Sequence, residues 1–216
     1  MPIAKRKNRS NPEWIRRHLT DPYVRAATTH GYRSRAAYKL AEIDDREKFL
    51  HPGAVVVDLG AAPGSWTQVA AERLRDKNGA MRGRIVALDL LPIEPVPEVI
   101  VLQGDFREQE TEQSLAAALA GAPVDVVLSD MAPNLSGIAA ADAARNAHLA
   151  EIAVEFAARH LQPNGVLLLK AFHGSGFSQL VEQLKTRFVK VAALKPKASR
   201  QESAETFLLA RALKKR

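Results

Sequence analysis

The chain has 216 residues, of which 46% are hydrophobic and 25% are charged. This composition is typical of a soluble globular domain and excludes wholesale disorder, and no apolar run approaches the roughly 20 residues that a membrane span needs. Cysteine is absent, which excludes disulfides, a thiolate nucleophile and a cysteine-based zinc site and favours a cytoplasmic location. The basic start is not followed by an apolar segment, so we expect no secretory signal.

Positive charge is concentrated at the two ends of the chain. The net charge is +7, but residues 1–39 contain ten Lys/Arg and two Asp/Glu, and residues 185–216 contain the same numbers. Each end therefore carries +8, and the residues between them carry −9. Basic segments on both sides of an acidic body suggest a polyanionic partner that the two ends grip. The alternative is that both ends are solvated and bind nothing.

Hydrophobic patterns predict helices that alternate with strands. Residues 1–33 are polar and basic, and we interpret them as a partly flexible arm with a short helix at 11–18. Ser34 is expected to cap the first helix of the main domain, residues 34–216. The predicted elements are, in chain order, helix 34–49, strand 54–59, helix 66–75, strand 84–89, strand 98–102, helix 111–120, strand 124–130, helix 142–161, strand 166–170, helix 177–187, strand 189–194 and strand 206–213. This order predicts a doubly wound, mostly parallel seven-stranded α/β sheet with an antiparallel C-terminal hairpin.

Charged residues follow five of the predicted strands. They are Asp58, Asp89, Asp105, Asp130 and Lys170. Because ligands of open α/β sheets bind at the carboxyl ends of the strands, we expect these side chains to surround one site. For any single carboxylate, the alternative is a cap on the following helix.

The loop after the first strand has the pattern Gly60-x-x-x-Gly64. It has neither the G-x-G-x-x-G spacing of a dinucleotide site nor the G-K-[ST] of a phosphate loop. Asp89 suits the two hydroxyls of a ribose, and Asp105 suits the amine of adenine. The predicted site thus suits an adenosine but has no motif for binding phosphate. S-adenosylmethionine is therefore the leading cofactor candidate. A nucleotide-dependent dehydrogenase on the same fold is the alternative enzyme.

The segment Ser-Asp-Met-Ala-Pro-Asn at 129–134 is similar to the motif of enzymes that methylate amino nitrogens. No aromatic residue follows Pro133 to stack on a base, which argues against methylation of a base. Asp130 beside Lys170 instead suits a hydroxyl nucleophile, because burial favours the neutral amine that can accept a proton. The alternative for Lys170 is a lysine whose ammonium reaches solvent from the sheet edge.

Six segments, in order, give the chain a specific resemblance to a known family. They are Ser-Arg-Ala-Ala-Tyr-Lys-Leu at 34–40, Val-Asp-Leu-Gly-Ala-Ala-Pro-Gly-Ser-Trp at 57–66, Leu-Gln-Gly-Asp-Phe at 102–106, Ser-Asp-Met-Ala-Pro-Asn-Leu-Ser-Gly at 129–137, Leu-Lys-Ala-Phe at 169–172 and Lys-Pro-Lys-Ala-Ser-Arg-Gln-Glu-Ser-Ala-Glu at 195–205. From about residue 11 to the end, the chain resembles the FtsJ/RrmJ family of 2′-O-ribose methyltransferases. The resemblance implies a Rossmann-like class I methyltransferase that methylates a uridine of large-subunit (23S) ribosomal RNA and contributes to ribosome maturation.

The resemblance implies a catalytic tetrad at Lys39, Asp130, Lys170 and Glu205, with Lys170 as proton acceptor. From the residues alone, Lys39 would be a solvated lysine paired with Glu42, and Glu205 a solvated acid before an edge strand. We expect S-adenosyl-L-methionine, which leaves as S-adenosyl-L-homocysteine, to be held by Asp58, Gly60, Gly64, Trp66, Asp89, Asp105 and Asp130. We expect RNA phosphates to contact Arg33, Arg35, Lys195, Lys197 and Arg200 and, in the arm, Lys5, Arg6, Lys7 and Arg9.

Two residues depart from the family pattern. Ser65 stands where the family often has a second glycine, so a positive φ is not expected there. Phe207 replaces a common tyrosine and removes a hydroxyl group. We expect a monomer without metal or membrane that acts on ribosomal RNA within a ribosomal particle. The other class of function is an RNA-binding assembly factor with an idle catalytic site.

Overall fold

The computed structural model describes residues 20–133 and 136–214. The helices in this part of the chain are α1 (Pro22–His30), α2 (Ala36–Glu47), α3 (Ser65–Arg73), α4 (Gln109–Leu119), α5 (Ala139–His160) and α6 (Phe177–Arg187). The strands are β1 (Val55–Leu59), β2 (Arg84–Asp89), β3 (Ile100–Gln103), β4 (Val124–Ser129), β5 (Leu161–Phe172), β6 (Phe188–Leu194) and β7 (Glu205–Leu213). The predicted helix at 11–18 and the arm residues Lys5, Arg6, Lys7 and Arg9 lie outside the described residues.

The seven strands form one sheet in the order β3-β2-β1-β4-β5-β7-β6. Strands β1 to β5 pair in parallel, and β7 pairs antiparallel with both β5 and β6. This confirms the predicted fold class and its C-terminal hairpin. Because β7 inserts between β5 and β6, it is an interior strand, so the expectation that Glu205 precedes an edge strand is wrong.

The sheet carries a separate hydrophobic core on each face. On one face, Leu40 of α2 and Trp66 of α3 pack with Leu128, Leu168 and Phe207. On the other face, helices α4, α5 and α6 cover the strands, as shown by the packed residues Leu115, Phe156, Leu184, Val127 and Leu167. Side chains alternate between the two faces of a strand, so the even-numbered residues of β1, β4 and β5 face α2 and α3.

Helix α1 is an element that the hydrophobic pattern does not predict. Asp21 accepts a hydrogen bond from the Tyr23 backbone N–H at 3.0 Å, Pro22 occupies the first turn, and Gly31 ends the helix in the left-handed conformation. These are the usual start and stop residues of a helix. The helix is short and polar with one fully buried residue, Ala27, which explains why its periodicity is weak.

Several element boundaries differ from the prediction, among them the start of α2 and both ends of β5. The N-cap of α2 is Arg35 rather than Ser34, although the Ser34 hydroxyl still accepts from the Ala36 N–H at 3.2 Å. Strand β5 begins at Leu161, directly after α5, because Leu161 already pairs with Val124 of β4; the register then shifts before Val166 pairs with Val126. The strand also continues to Phe172, so Lys170 lies inside β5 and does not end it.

Candidate active site

A cavity of about 310 Å³ opens at the carboxyl ends of β1, β2 and β4. It is lined by the glycine loop after β1, by the segments that follow β2 and β3, and by residues of α5. The expected cofactor residues Gly60, Asp89, Asp105 and Asp130 all line it. Arg107, Leu90 and Leu91 line it too, and sequence analysis did not single them out. Three of the five charged residues expected at the strand ends therefore meet at this cavity, whereas Asp58 and Lys170 are not in its lining.

The glycine loop has little room for side chains. Gly60 and Gly64 have φ angles of +70° and +106°, which favour glycine. A β-carbon on Gly60 would collide with the Met131 side chain, and one on Gly64 would collide with the Arg33 guanidinium. Ser65 begins α3, is not among the residues with positive φ, and lies with its Oγ 2.7 Å from Ser34 Oγ. Both positions therefore need glycine, because Met131 and Arg33 fill the space that a side chain would take.

Asp58 is fully buried beneath the glycine loop. Its Oδ2 accepts a hydrogen bond from the Thr67 hydroxyl at 2.7 Å, whereas its Oδ1 has no partner. Burial raises the pKa of this carboxyl to about 7, against the Thr67 hydrogen bond, which lowers it. Asp58 and Trp66 line a separate, smaller cavity of about 60 Å³ beside the glycine loop and do not line the larger one. An unpartnered buried oxygen facing a cavity suits a cationic group of a ligand.

Asp89 and Asp105 are both held by backbone N–H groups at the cavity wall. Asp89 accepts from Ala62 N–H at 2.9 Å and from Leu91 N–H at 2.8 Å, and so joins two loops. Asp105 accepts from Arg107 through its backbone N–H at 3.0 Å and its guanidinium at 2.9 Å. The hydrogen bonds from Arg107 outweigh burial and lower the pKa of Asp105. Both groups are therefore oriented hydrogen-bond acceptors.

The four expected catalytic residues form two ion pairs on the face of the sheet that carries α2 and α3. Lys39 Nζ lies 2.7 Å and 2.8 Å from the two carboxylate oxygens of Glu205. Lys170 Nζ lies 2.9 Å from Asp130 Oδ1 and donates to the Asp130 carbonyl oxygen at 2.6 Å. The Lys170 side chain is only 8% exposed. The interpretation of Lys39 as a partner of Glu42 is wrong, because Glu42 accepts from the backbone N–H groups of Lys197 and Ala198.

The lysines of both ion pairs act on the pKa of the Glu205 carboxylate. Burial raises its pKa, but the Lys39 ammonium, the Ser199 hydroxyl at 2.9 Å and the charge of Lys170 together lower the pKa below its ordinary value. Ser199 is a contributor that sequence analysis missed; its position inside the 195–205 motif was the available signal. Beneath the pairs, Lys39 Nζ lies 5.7 Å from the centre of the Phe207 ring, which packs against Trp66. Phe207 is fully buried. Because it lacks the hydroxyl of the tyrosine that is common at this position, the surface beneath the ion pairs is apolar.

Trp66 is placed below the glycine loop and not at its tip. Its indole N–H donates to the Ala36 carbonyl at 3.0 Å, and its ring packs on Phe207 at 5.6 Å. It therefore joins α3 to α2 and lines the small cavity at the same time.

Several of the basic residues expected on RNA make bonds within the protein. Arg33 donates to the carbonyl oxygens of Pro63 and Pro95, both at 2.9 Å. Arg35 pairs with Asp21 and donates to the Ala198 carbonyl, and Arg200 lies 3.4 Å from the same Asp21.

Among the lysines of the C-terminal loop, Lys195 donates to the carbonyl oxygens of Gln201 and Ser203. The Lys197 side chain is exposed, on the same loop as Ser199 and close in sequence to Glu205.

The basic residues of the C-terminal segment are divided between two edges of the sheet. Residues 195–200 lie at the carboxyl edge of the parallel strands, whereas Lys185, Lys190 and Lys214 lie toward the opposite edge.

The described residues contain neither a cluster of three or more acidic or histidine side chains that could hold a metal ion nor a helix that meets the length and hydropathy of a membrane span.

The chain is similar to methyltransferases in its sequence and in its fold. The model of the FtsJ-like methyltransferase family matches residues 32–213. The chain is 60% identical to ribosomal RNA large subunit methyltransferase E of Bordetella pertussis and 57% identical to the protein of that name from Burkholderia multivorans; each match covers 96% of this chain and at least 98% of the relative. A solved structure described as a ribosomal RNA methyltransferase of Plasmodium falciparum superposes with a TM-score of 0.75 at 30% identity, covering 86% of this chain and all of that one.

Proposed function

The chain belongs to the FtsJ-like methyltransferase family, and on that premise we propose that it transfers a methyl group from S-adenosyl-L-methionine to the ribose 2′-hydroxyl of a uridine in large-subunit (23S) ribosomal RNA. Membership of this family identifies the chain as an S-adenosylmethionine-dependent methyltransferase, as the resemblance implied. It excludes the alternative of a nucleotide-dependent dehydrogenase. The names of its relatives support ribosomal RNA as the substrate. We place the reaction in the cytoplasm, on RNA within a ribosomal particle, with the protein as a monomer.

The residues around the cavity fit the cofactor. Asp58 offers an unpartnered buried oxygen to a cationic group, and Gly60 is part of the cavity wall. Asp89 would accept from the ribose hydroxyls, since each of its oxygens has a second lone pair beyond its bond to a backbone N–H. Asp105 would accept from the adenine amine in the same way. When bound, S-adenosylmethionine supplies an electrophilic methyl group on its sulfonium.

The proposal rests on the two ion pairs beside this cavity, Lys39 with Glu205 and Lys170 with Asp130. With an electrophilic methyl group in place, the protein has to hold the hydroxyl in line and help it lose a proton. Lys170 is the proton acceptor in this proposal: Asp130 binds its Nζ through two oxygens and leaves the nitrogen a further direction for the hydroxyl. The Lys39 ammonium, held by Glu205, stabilises the negative charge that develops on the oxygen.

The test is to map 2′-O-methylation across the ribosomal RNA of cells with and without the protein. We expect one uridine of the large subunit to lose its methyl group in the deletion strain and to regain it when the parent gene is returned. A map that is identical in both strains would refute the proposal.

Returning the Lys170→Ala variant separates catalysis from binding. If the enzyme acts through chemistry, this variant restores neither methylation nor ribosome assembly. If it restores assembly while the uridine stays unmethylated, the more important role is that of an RNA-binding assembly factor.

A further inference from the structure

The guanidinium of Arg33 points into the protein, although its position in a basic segment suggests an RNA contact. Nη1 donates to the Pro63 carbonyl and Nη2 to the Pro95 carbonyl, both at 2.9 Å. Pro63 belongs to the glycine loop, and Pro95 belongs to the loop between β2 and β3. We propose that Arg33 is a positioning residue for the cofactor site, which holds together the two loops that border the cavity. This inference rests on the proposed use of S-adenosylmethionine.

A second bridge joins the same two loops. Asp89 accepts from the N–H of Ala62 in the glycine loop and from the N–H of Leu91 in the loop after β2. Arg33 thus binds two carbonyl groups and Asp89 binds two N–H groups in the same loops. Ala62 precedes Pro63 directly, and Leu91 lies four residues before Pro95. Any separation of the loops would displace both bridges together. Since Asp89 is the expected ribose acceptor, we infer that losing Arg33 lowers the affinity for the cofactor by letting Asp89 move.

The backbone of Arg33 is itself fixed to α3. Its N–H donates to Gln68 Oε1 at 2.9 Å, and Gln68 Nε2 donates to the Gly31 carbonyl at 2.9 Å. The guanidinium then passes over Gly64, where a β-carbon would collide with Nη1. Two features therefore require glycine at position 64: the positive φ angle and the contact with the Arg33 guanidinium.

Lysine should not replace Arg33. A guanidinium is a planar fork that donates in two fixed directions, whereas an ammonium on a flexible stem is a point charge without that geometry. The Arg33→Lys variant keeps the positive charge that an RNA phosphate would need and loses the fork that two carbonyls need. The two roles of Arg33 can therefore be separated by experiment.

The experiment is calorimetric titration of S-adenosylmethionine into the full-length protein without RNA, paired with RNA binding measured across a salt series. We expect Arg33→Lys and Arg33→Ala to raise the dissociation constant for S-adenosylmethionine at least about tenfold, with RNA affinity and its salt dependence within twofold of the parent. Arg211→Ala is the matched control, because Arg211 donates to the Glu47 carbonyl at 2.7 Å and pairs with Val166, away from the carboxyl ends of the strands and the cavity. It should change neither binding constant.

A double-mutant cycle tests the contact with Gly64. Gly64→Ala should weaken cofactor binding in the parent and should weaken it less in the Arg33→Ala background, where the collision with Nη1 is gone. Equal affinity of the parent and Arg33→Lys for S-adenosylmethionine, or a loss of RNA binding alone, would overturn the inference and leave the proposed function standing. A parent protein that does not bind S-adenosylmethionine would overturn both.

Discussion

At the scale of single residues, Asp58 is the carboxyl whose surroundings depart most from water. It is fully buried, one oxygen has no hydrogen-bond partner, and burial raises its pKa to about 7. Between about pH 4 and pH 7 the folded protein therefore retains a proton that the unfolded chain has released. The stability from this group is complete below the unfolded pKa and is lost as the pH rises through 7.

The Asp58→Asn variant should remove this pH-dependent loss. Asparagine still offers Thr67 an acceptor and carries no charge, so the variant should be more stable than the parent at pH 8.5 by a few kcal/mol and nearly equal to it at pH 4.5. Urea denaturation of both proteins at the two pH values measures this. A difference in unfolding free energy that is the same at both pH values would contradict the raised pKa.

Lys170 is the residue on which the chemistry depends in the proposed mechanism. Lys170→Ala should bind cofactor and RNA normally but lose at least about 100-fold in single-turnover rate, as expected for a positioned proton acceptor. Lys170→Arg should fail as well, because a guanidinium does not release its proton. Lys185→Ala, an exposed lysine paired with Glu182 on α6, is the control and should react at the parent rate. A near-normal rate for Lys170→Arg would leave Lys170 an electrostatic role at most.

At the scale of elements, one carboxylate links α1 to two other parts of the protein. Asp21 caps α1 through its Oδ1, and its Oδ2 accepts from Arg35 at the start of α2 and from Arg200 in the loop before β7. The Asp21 side chain is 8% exposed. Two arginines that the sequence places with RNA thus neutralise a buried acid and join α1 to the loop that contains Ser199.

Asp21→Ala should therefore lower the free energy of unfolding by about 2–4 kcal/mol, since it removes a helix cap and leaves two arginines without their partner. Asp21→Asn keeps the cap and should lose less. Urea denaturation of the three proteins gives the comparison. A loss below about 0.5 kcal/mol for Asp21→Ala would show that the ion pairs do not hold α1.

At the scale of the whole molecule, the basic C-terminal segment does not form one surface. The loop at 195–204 lies at the edge of the active site, whereas β6 starts and β7 ends at the opposite edge of the sheet. Lys197 is exposed at the first edge, and Lys190 is exposed near the second. If RNA lies across the carboxyl ends of the strands, only the first lysine can contact a phosphate.

Lys197→Ala should reduce the slope of the logarithm of RNA affinity against the logarithm of salt concentration by about one contact, and Lys190→Ala should leave it unchanged. The change for Lys197→Ala should appear in the Michaelis constant for RNA more than in turnover, because the residue positions the RNA and does not react. RNA titrations at four or five salt concentrations decide between the two lysines. Equal slopes for the two variants would contradict this placement of the RNA.

The sequence by itself determined the sheet and the acids around its edge. Buried parallel strands need continuous apolar runs, and parallel strands end at one edge, so the order of runs was enough to bring Asp89, Asp105 and Asp130 together. The two-residue period of a strand also places Asp58, Asp130 and Lys170 on the same face. Lys39 and Glu205 came from the family resemblance and not from any local pattern.

Only the tertiary structure decided which charged groups meet each other. Lys39 and Glu205 are 166 residues apart, and they pair because α2 packs on the face toward which Glu205 points when β7 inserts between β5 and β6. The inward direction of Arg33 likewise depends on carbonyl groups in two distant loops. Such contacts follow from how the elements pack, because the free energy that directs a long charged side chain inward comes from partners that local sequence does not contain.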